Sequence, residues 1–254
     1  RRSILSIFCT FVKNRLRQAK AANAYVLSDY FHFYTINKIM QDFVHLHVHT
    51  QYSILDGQAS VPKLVDKAIK DGMRGMAVTD HGNMMGIKEF FNYTNKVTGK
   101  AKGIVKDTEA KLVALRDGTY EPKLDKEGKN PDAGKSTEEL INECEATLKK
   151  QRPIAQFKPI FGCEMYVARR GDKALKEIRA DQSGWHLIVL AKNEHGYHNL
   201  IKLVSNAWVD GFYMKPRTDH KELEKYHEDL IVCSACLGGE VPQKILAGKI
   251  EEAE

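Results

Sequence analysis

The sequence predicts an α/β fold in which helices cover parallel strands. Short apolar segments of strand length alternate along the chain with segments whose apolar residues recur at helical spacing. A strand, a helix and a second strand in that order are typical of a parallel sheet. A length of 254 residues is enough to bury the core of one such domain. These observations leave open whether the sheet closes into a barrel.

The clearest strand–helix unit lies between residues 60 and 79. Ser60 can cap a helix that has Pro62 in its first turn, and Asp71-Gly72 is expected to end it. A strand over 75–79 follows. The apolar stripe of this helix consists of Val61, Leu64, Val65, Ala68 and Ile69. Further helices are predicted over 83–95 and 196–208, and further strands over 159–167, 185–191 and 230–239.

Residues 43–49 have the period-two pattern of a strand and contain three histidines. In a strand, His45, His47 and His49 project from one face, where two imidazoles can share a metal ion. Asp56, in a glycine-containing turn, can fold back towards them. Nitrogen and carboxylate ligands suit zinc or manganese. The alternative interpretation is a surface strand that is merely rich in histidine.

Four further strand segments each carry one candidate ligand. His81 follows the apolar run Met76-Ala77-Val78 and comes directly after Asp80. The other three ligands lie within or just after apolar runs, and they are Glu164, His186 and Cys236. One such residue alone is usually structural. Five strands that each supply a ligand indicate a metal site, because a buried charge without a partner is costly and a cation removes that cost.

These segments together resemble the PHP (polymerase and histidinol phosphatase) family. Within it they are most similar to the amino-terminal domains of bacterial replicative DNA polymerase III alpha subunits. The resemblance runs from Met40 onwards and rests on the segments FVHLHVHTQYSILDG, AVTDHGNMMG, KPIFGCEMYVA, WHLIVLAKNEHGYHNLIKLVS, DGFYMKPR and CLGGEVPQ. The last two are typical of the polymerase branch.

The resemblance implies a distorted (β/α) barrel with a metal site at the carboxyl ends of its strands. Up to three zinc or manganese ions are expected there. The implied ligands are His47, His49, Asp56, His81, Glu164, His186 and Cys236, of which His47, His49, Asp56 and Glu164 are the candidate catalytic residues. Asp80 and His45 are candidates for a supporting role behind the ligands. The family pattern ends in an Asp-x-His pair that does not occur after Cys236, so these two ligands are expected beyond residue 254.

The implied chemistry is phosphodiester hydrolysis, as a 3′-5′ exonuclease that proofreads DNA. The polymerase active site, with its own magnesium ions, is expected outside this chain. The expected partners are primer-template DNA and other replicase subunits. One alternative is a scaffold without catalysis that stabilises the polymerase and docks a separate proofreading subunit. Another is a stand-alone phosphatase, against which DGFYMKPR and CLGGEVPQ argue.

Composition indicates the cellular compartment and shows how the net charge should be interpreted. No apolar run approaches a membrane span in length, and five scattered cysteines argue against a disulfide framework, so a cytoplasmic protein is expected. In the pair Cys233–Cys236 only the second is taken as a ligand, and Cys233 as core. Residues 1–39 hold seven Lys or Arg and one acid, and thus the whole net charge of +6. Net charge is therefore no evidence for DNA binding by residues 40–254.

Two segments do not follow the strand–helix alternation. Residues 1–39 precede the resemblance and are interpreted as an extension that is not part of the domain. Residues 96–158 are rich in charged residues and glycine, and are interpreted as a polar surface insertion. Within the insertion, residues 137–149 can form one amphipathic helix.

Overall fold

A computed structural model describes residues 43–124 and 126–254. Its strands are β1 (Gly75–Val78), β2 (Lys158–Ala168), β3 (Gly184–Ala191), β4 (Arg217–Thr218) and β5 (Leu230–Cys233). Its helices are α1 (Val61–Lys70), α2 (Ile87–Arg116), α3 (Thr137–Ala155), α4 (Glu194–Val209), α5 (His220–Lys225), α6 (Glu240–Leu246) and α7 (Ile250–Ala253), with a 3-10 turn at Arg179–Gln182. No helix among these is long and apolar enough to cross a membrane. The extension predicted over residues 1–39 lies outside the described residues.

The five strands form one mixed sheet in the order β1-β2-β3-β5, with β4 also paired to β2. The fold is therefore α/β, but in the described part of the chain the sheet is open rather than closed into the expected barrel. The pairs β1–β2 and β2–β4 are parallel, as predicted. The prediction was wrong for β3, which runs antiparallel to both β2 and β5. The connection from β2 to β3 contains a 3-10 turn but no α-helix, whereas a parallel pair is usually joined by a helical crossover.

Residues 43–49 do not form a regular strand, and the backbone bends at Leu46. The segment lies beside β1, where the carbonyl oxygens of His45 and Val48 accept hydrogen bonds from the amides of Ala77 and Thr79, at 2.8 and 2.9 Å. The Val48 amide donates instead to Thr79 Oγ1, at 2.9 Å. This side-chain bond replaces a ladder bond and explains why the predicted strand is incomplete.

Helix α1 begins and ends where the sequence predicts. Ser60 occupies the N-cap position, although its side chain makes no capping hydrogen bond, and Asp71 is the C-cap. Gly72 follows with a φ of +79°, a conformation that favours glycine. The buried side of α1 packs with β1 in a core of Val61, Val65, Ala68, Met76, Val78, Ile87, Phe90 and Phe157.

Helix α4 covers the other half of the sheet. Its buried residues Leu200, Leu203 and Val204 pack against Cys163, Met165 and Val189 of β2 and β3. Side chains alternate across a strand, so this packing leaves Glu164 and Tyr166 of β2 on the opposite face. The core under α4 thereby fixes which face of β2 carries the carboxylate.

The predicted polar insertion contains two long helices with their own apolar cluster. The helix predicted over 83–95 was too short, because α2 continues for 30 residues to Arg116. The helix predicted over 137–149 extends to Ala155 and begins with a capping box formed by Ser136 and Glu139. The two helices enclose Leu112, Leu115, Leu140, Cys144 and Leu148.

Candidate metal centre

Glu164 is the centre of the site. It lies in β2, is fully buried and has four imidazole rings around its two carboxylate oxygens. Burial alone would raise the pKa of Glu164, but contacts with His186, His47, His49 and His81 outweigh that effect and hold the pKa well below its usual range. The carboxylate is thus an anion within a ring of nitrogen donors.

One group of donors lies at Glu164 Oε2. His49 Nε2 is 3.0 Å from this oxygen and His47 Nε2 is 3.5 Å from it. The two Nε2 atoms lie 2.9 Å apart. These three ligand atoms all fall within 4.8 Å of one another, close enough to share one cation. The two side chains lie together, as expected for alternate residues of an extended segment.

A second group of donors lies at Glu164 Oε1. His186 Nδ1 is 2.7 Å from this oxygen, and Cys236 Sγ is 3.9 Å from it. Cys236 Sγ also lies 3.5 Å from His186 Nδ1. These atoms form a second set within 4.8 Å. Glu164 therefore presents one oxygen to each of two donor groups.

His81 and Asp56 complete the set of seven. His81 Nδ1 lies 2.6 Å from Glu164 Oε2, and its Nε2 lies 2.8 Å from Asp56 Oδ2. The contact with Glu164, and a smaller one with Asp56, raise the pKa of His81 against the opposing effect of burial. The Asp56 side chain is 61 % exposed, so it stands at the rim of the site. A Cβ at Gly57 would lie 1.9 Å from the Thr50 carbonyl oxygen, so the turn that folds Asp56 back requires glycine.

The strand arrangement explains how these residues meet. His81 follows β1, and its backbone forms a parallel bridge with Glu164 in β2. His186 pairs with Tyr166 of β2, so it projects from the same face as Glu164. Since β3 is antiparallel to β5, the start of β3 lies beside the end of β5, where Cys236 follows. The site was expected at the carboxyl ends of the strands, but β3 contributes from its amino end and β2 from within.

The geometry of the buried atoms fits a bound cation. His81 Nδ1 and Glu164 Oε2 have no hydrogen-bond partner among the described residues, although they lie 2.6 Å apart. Buried polar atoms are nearly always satisfied, and these two atoms could both be satisfied as ligands of a cation. Nitrogen, carboxylate and thiolate donors are the set that zinc prefers, and nitrogen with carboxylate also suits manganese.

Asp80, a candidate for a supporting role, lies beneath the ligands and is 1 % exposed. Its carboxylate accepts hydrogen bonds from the Thr50 amide and from the hydroxyls of Thr50 and Ser53, at 2.7, 2.8 and 2.7 Å. Ser53 in turn contacts His49 Nδ1 at 2.9 Å. Sequence reasoning missed Ser53, because a serine in a turn is ordinarily interpreted as a turn former.

His45, the other supporting candidate, lies apart from the cluster. Its ring packs edge-on against Phe43 with the centroids 4.7 Å apart. Within the described ranges no hydrogen bond or ion pair joins this ring to the seven candidate ligands. The structure brings the seven together but leaves His45 outside.

Two neighbouring groups affect the site without being candidate ligands. The Tyr166 ring lies beside those of His81 and His186, with its centroid 6.2 and 5.3 Å from theirs. Burial, and then the charge of Glu164, raise the pKa of Tyr166 to about 12, so it stays a neutral phenol. The four described cysteines are free. Cys233 packs in an apolar cluster with Ala77, Ile188 and Leu190, as expected for a core residue, and burial raises its pKa.

Residues 45–254 match the model of the PHP domain family. Several relatives are named DNA polymerase III subunit alpha, and three of them are described here. The protein from Borreliella burgdorferi is 35 % identical over 212 residues, which is 84 % of this chain and 13 % of that protein. The protein from Treponema pallidum is 36 % identical over 212 residues, with the same coverage.

The protein from Aquifex aeolicus is 31 % identical over 219 residues, which is 84 % of this chain and 14 % of that relative. The chain thus spans only 13–14 % of the length of the curated relatives it matches here. The family match covers most of the chain and includes every candidate ligand. The chain therefore belongs to the PHP domain family.

Proposed function

We propose that the cluster around Glu164 holds divalent cations, zinc or manganese, and hydrolyses phosphodiester bonds at the 3′ end of DNA. The chain would then be the amino-terminal PHP domain of a replicative DNA polymerase, acting on primer-template DNA beside other replicase subunits. The similarity to proteins named DNA polymerase III subunit alpha supports this assignment. Nucleotide addition, with magnesium, is proposed for the longer protein and not for these residues.

The observation that carries the proposal is the double use of Glu164. One oxygen faces the group of His47 and His49, and the other faces His186 and Cys236. A fully buried carboxylate is expensive unless its charge is compensated. If Glu164 had only a structural role, one hydrogen-bonded partner would be enough to compensate its charge. Two separate donor sets on one carboxylate favour a bridge between two cations.

When bound, the cations would lower the pKa of a coordinated water and neutralise charge on a phosphate. The side chains of this protein would hold the cations and fix their positions. His47 and His49 come from one extended segment, so their spacing is fixed by the backbone. The buried position of Glu164 excludes water from the floor of the site. Exposed Asp56 marks the open side, from which a DNA end would approach.

A second candidate is the non-catalytic scaffold, and an exposed apolar surface favours it. Met85 is 63 % exposed, Val209 is 81 % exposed, and Trp208 lies between them with its indole nitrogen bonded to the Gly82 carbonyl oxygen. Large exposed apolar groups that lie together are typical of surfaces that contact protein. A scaffold of this kind could still bind cations for stability.

One variant separates the two candidates. His49→Ala removes a ligand at Glu164 Oε2, while His198→Ala makes the same change on the exposed surface of α4. The assay uses a polymerase-length protein, because this chain spans only 13–14 % of the relatives that it matches. Both activities are measured on one preparation: removal of a mismatched 3′ nucleotide and nucleotide addition.

If the site is catalytic, His49→Ala should lower the rate of 3′ removal by about a hundredfold or more, because even residues behind metal ligands commonly contribute ten- to a hundredfold. Nucleotide addition should persist in proportion to the folded fraction, measured by thermal melting. His198→Ala should leave both activities unchanged. The scaffold is the better description if 3′ removal does not respond to His49→Ala and nucleotide addition falls only with stability.

A further inference from the structure

The hydroxyl of Ser53 lies behind the cluster and is in contact with three groups. Its Oγ is 2.7 Å from Asp80 Oδ1, 2.9 Å from His49 Nδ1 and 3.1 Å from the His81 amide nitrogen. Ser53 itself is fully buried. A buried hydroxyl with three polar neighbours has no water to exchange with, so the direction of each hydrogen bond can be deduced from the number of hydrogens.

A serine hydroxyl has one hydrogen to donate and two lone pairs to accept with. The His81 amide can only donate, so it uses one lone pair of Ser53 Oγ. The single hydrogen of Ser53 must then point either to Asp80 or to His49. The choice depends on whether Asp80 acts as an acceptor.

The surroundings of Asp80 make it an acceptor. The Thr50 amide donates to Oδ1. The Thr50 hydroxyl lies 2.8 Å from Oδ2, and this hydroxyl already accepts a bond from the Tyr52 amide at 3.1 Å, so its own hydrogen is free for Asp80. A carboxylate is acceptor-only, and its charge strengthens each of these bonds. The hydrogen of Ser53 therefore points to Asp80.

The remaining hydrogen bond, between Ser53 Oγ and His49, must be donated by the imidazole. A neutral His49 then carries its hydrogen on Nδ1 and leaves the lone pair on Nε2. That nitrogen lies 3.0 Å from Glu164 Oε2 and belongs to the first donor group. Metal-binding histidines generally have their second nitrogen fixed in this manner.

We infer that Asp80 and Ser53 are positioning residues that act in series to hold His49 as the Nδ1–H tautomer, with Nε2 presented to a cation. The function given to these two residues rests on the proposed cation site, whereas the hydrogen bonds themselves do not depend on it. Ser53 is not needed for the turn through its side chain, because its carbonyl oxygen already accepts the amides of Asp56 and Gly57. The buried hydroxyl is thus left with the contacts to His49, Asp80 and the His81 amide.

Two measurements on the 254-residue chain test this inference. The first is ¹⁵N NMR of the imidazoles in the metal-free chain, near neutral or higher pH, which distinguishes the tautomers of neutral histidine. His49 of the unmodified chain should carry its hydrogen on Nδ1. In Ser53→Ala the acceptor at Nδ1 is gone, while Glu164 Oε2 remains 3.0 Å from Nε2, so the hydrogen of His49 should move towards Nε2.

The second measurement is calorimetric titration with zinc chloride, and separately with manganese chloride. Ser53→Ala should weaken binding by about ten- to a hundredfold, the usual effect of removing a partner behind a metal ligand. Val65→Ala is the matched control, because it removes buried atoms from the neighbouring core. It leaves intact the chain of hydrogen bonds from Asp80 through Ser53 to His49, which we call the relay. It should lower stability and leave affinity unchanged.

The outcomes separate the relay from the proposed function. A His49 Nδ1 that carries no hydrogen in the unmodified chain overturns the relay, and so does equal loss of affinity in Ser53→Ala and Val65→Ala. If no cation binds to the unmodified chain, the cation site fails. The NMR result then decides the relay by itself, and it does so without requiring Ser53→Ala to fold.

Discussion

The cluster around Glu164 and the helical pair of α2 and α3 are both closed by residues distant in sequence, but opposite forces act in them. In the cluster, a buried carboxylate and four imidazoles replace water around a charge, at a considerable desolvation cost. In the helical pair, the five apolar residues of the cluster that includes Leu140 are removed from contact with water, which is favourable in itself. The difference is that the cluster needs its buried charge to be compensated, whereas the helical pair is stabilised by its own packing.

A substitution that removes buried atoms from the apolar cluster of the helical pair should give the largest effect on stability. Leu140 is buried there, and Leu140→Ala should lower the free energy of unfolding by about 2–5 kcal/mol through lost burial and a residual cavity. Denaturant unfolding measures this loss. Leu124→Ala, at a 63 % exposed leucine in the same insertion, is the control and should have little effect.

The zinc affinity of Leu140→Ala tests whether the helical pair and the cluster around Glu164 are independent. The residues packed around Leu140 belong to α2 and α3 and include none of the candidate ligands. Zinc affinity should therefore be the same in Leu140→Ala as in the unmodified chain at temperatures where both are folded. A parallel fall in affinity would mean that the two regions form a single cooperative unit.

Glu164→Gln should have a comparable effect, but only when a cation is present. A cation that binds the folded chain alone, at a hundred times its dissociation constant, stabilises it by about 2.7 kcal/mol. Glutamine keeps the shape but loses the charge and one oxygen, so Glu164→Gln should abolish the rise in melting temperature that zinc produces. Glu143→Gln, at an exposed carboxylate paired with Lys135, should keep that rise. If Glu164→Gln melts like the unmodified chain with zinc, Glu164 does not bridge cations.

The smallest expected effect is at the amino end of α3. Ser136 Oγ accepts the Glu139 amide at 3.2 Å, and Ser136→Ala should cost about 1 kcal/mol of stability. The backbone amide of Ser136, and then its hydroxyl, hold the pKa of Glu139 below its ordinary value of 4.5. This contribution is complete above pH 4.5 and is lost as the pH falls through the folded-state pKa.

The stability difference between the unmodified chain and Ser136→Ala should therefore narrow in acid, measured by thermal melting from pH 7 to pH 3. Ser205→Ala, at an exposed serine of α4, should show no comparable pH dependence. A difference that stays constant over this range would show that Glu139 does not take part in the cap.

Most of the candidate ligands could be selected from the sequence because they lie within or beside apolar segments. Glu164 is the one acidic or basic residue between Phe161 and Ala168, and a buried charge there requires a partner. The alternation of His47 and His49 also predicts their shared direction. These are local properties of a strand, and the extended segment keeps them although its hydrogen-bond ladder is incomplete.

Other features depend on tertiary contacts that no local pattern contains. The antiparallel direction of β3 follows from how the chain returns after Ala168, which residue types do not specify. The length of α2 was missed because Gly99 and Gly103 lower helix propensity, whereas packing of Leu112 and Leu115 against α3 extends the helix past them. The role of Ser53 depends on Asp80, 27 positions away.

The wide sequence separation of the ligands has a consequence for the order of folding. His47 stands near the beginning of the described chain and Cys236 near its end, and the second reaches the site only after β5 has paired with β3. Loop-closure entropy makes such distant pairings late and slow. A cation that requires both donor groups would therefore be captured only after the last strand docks. Its uptake would report that folding is complete, and intermediates that lack β5 would gain little from it.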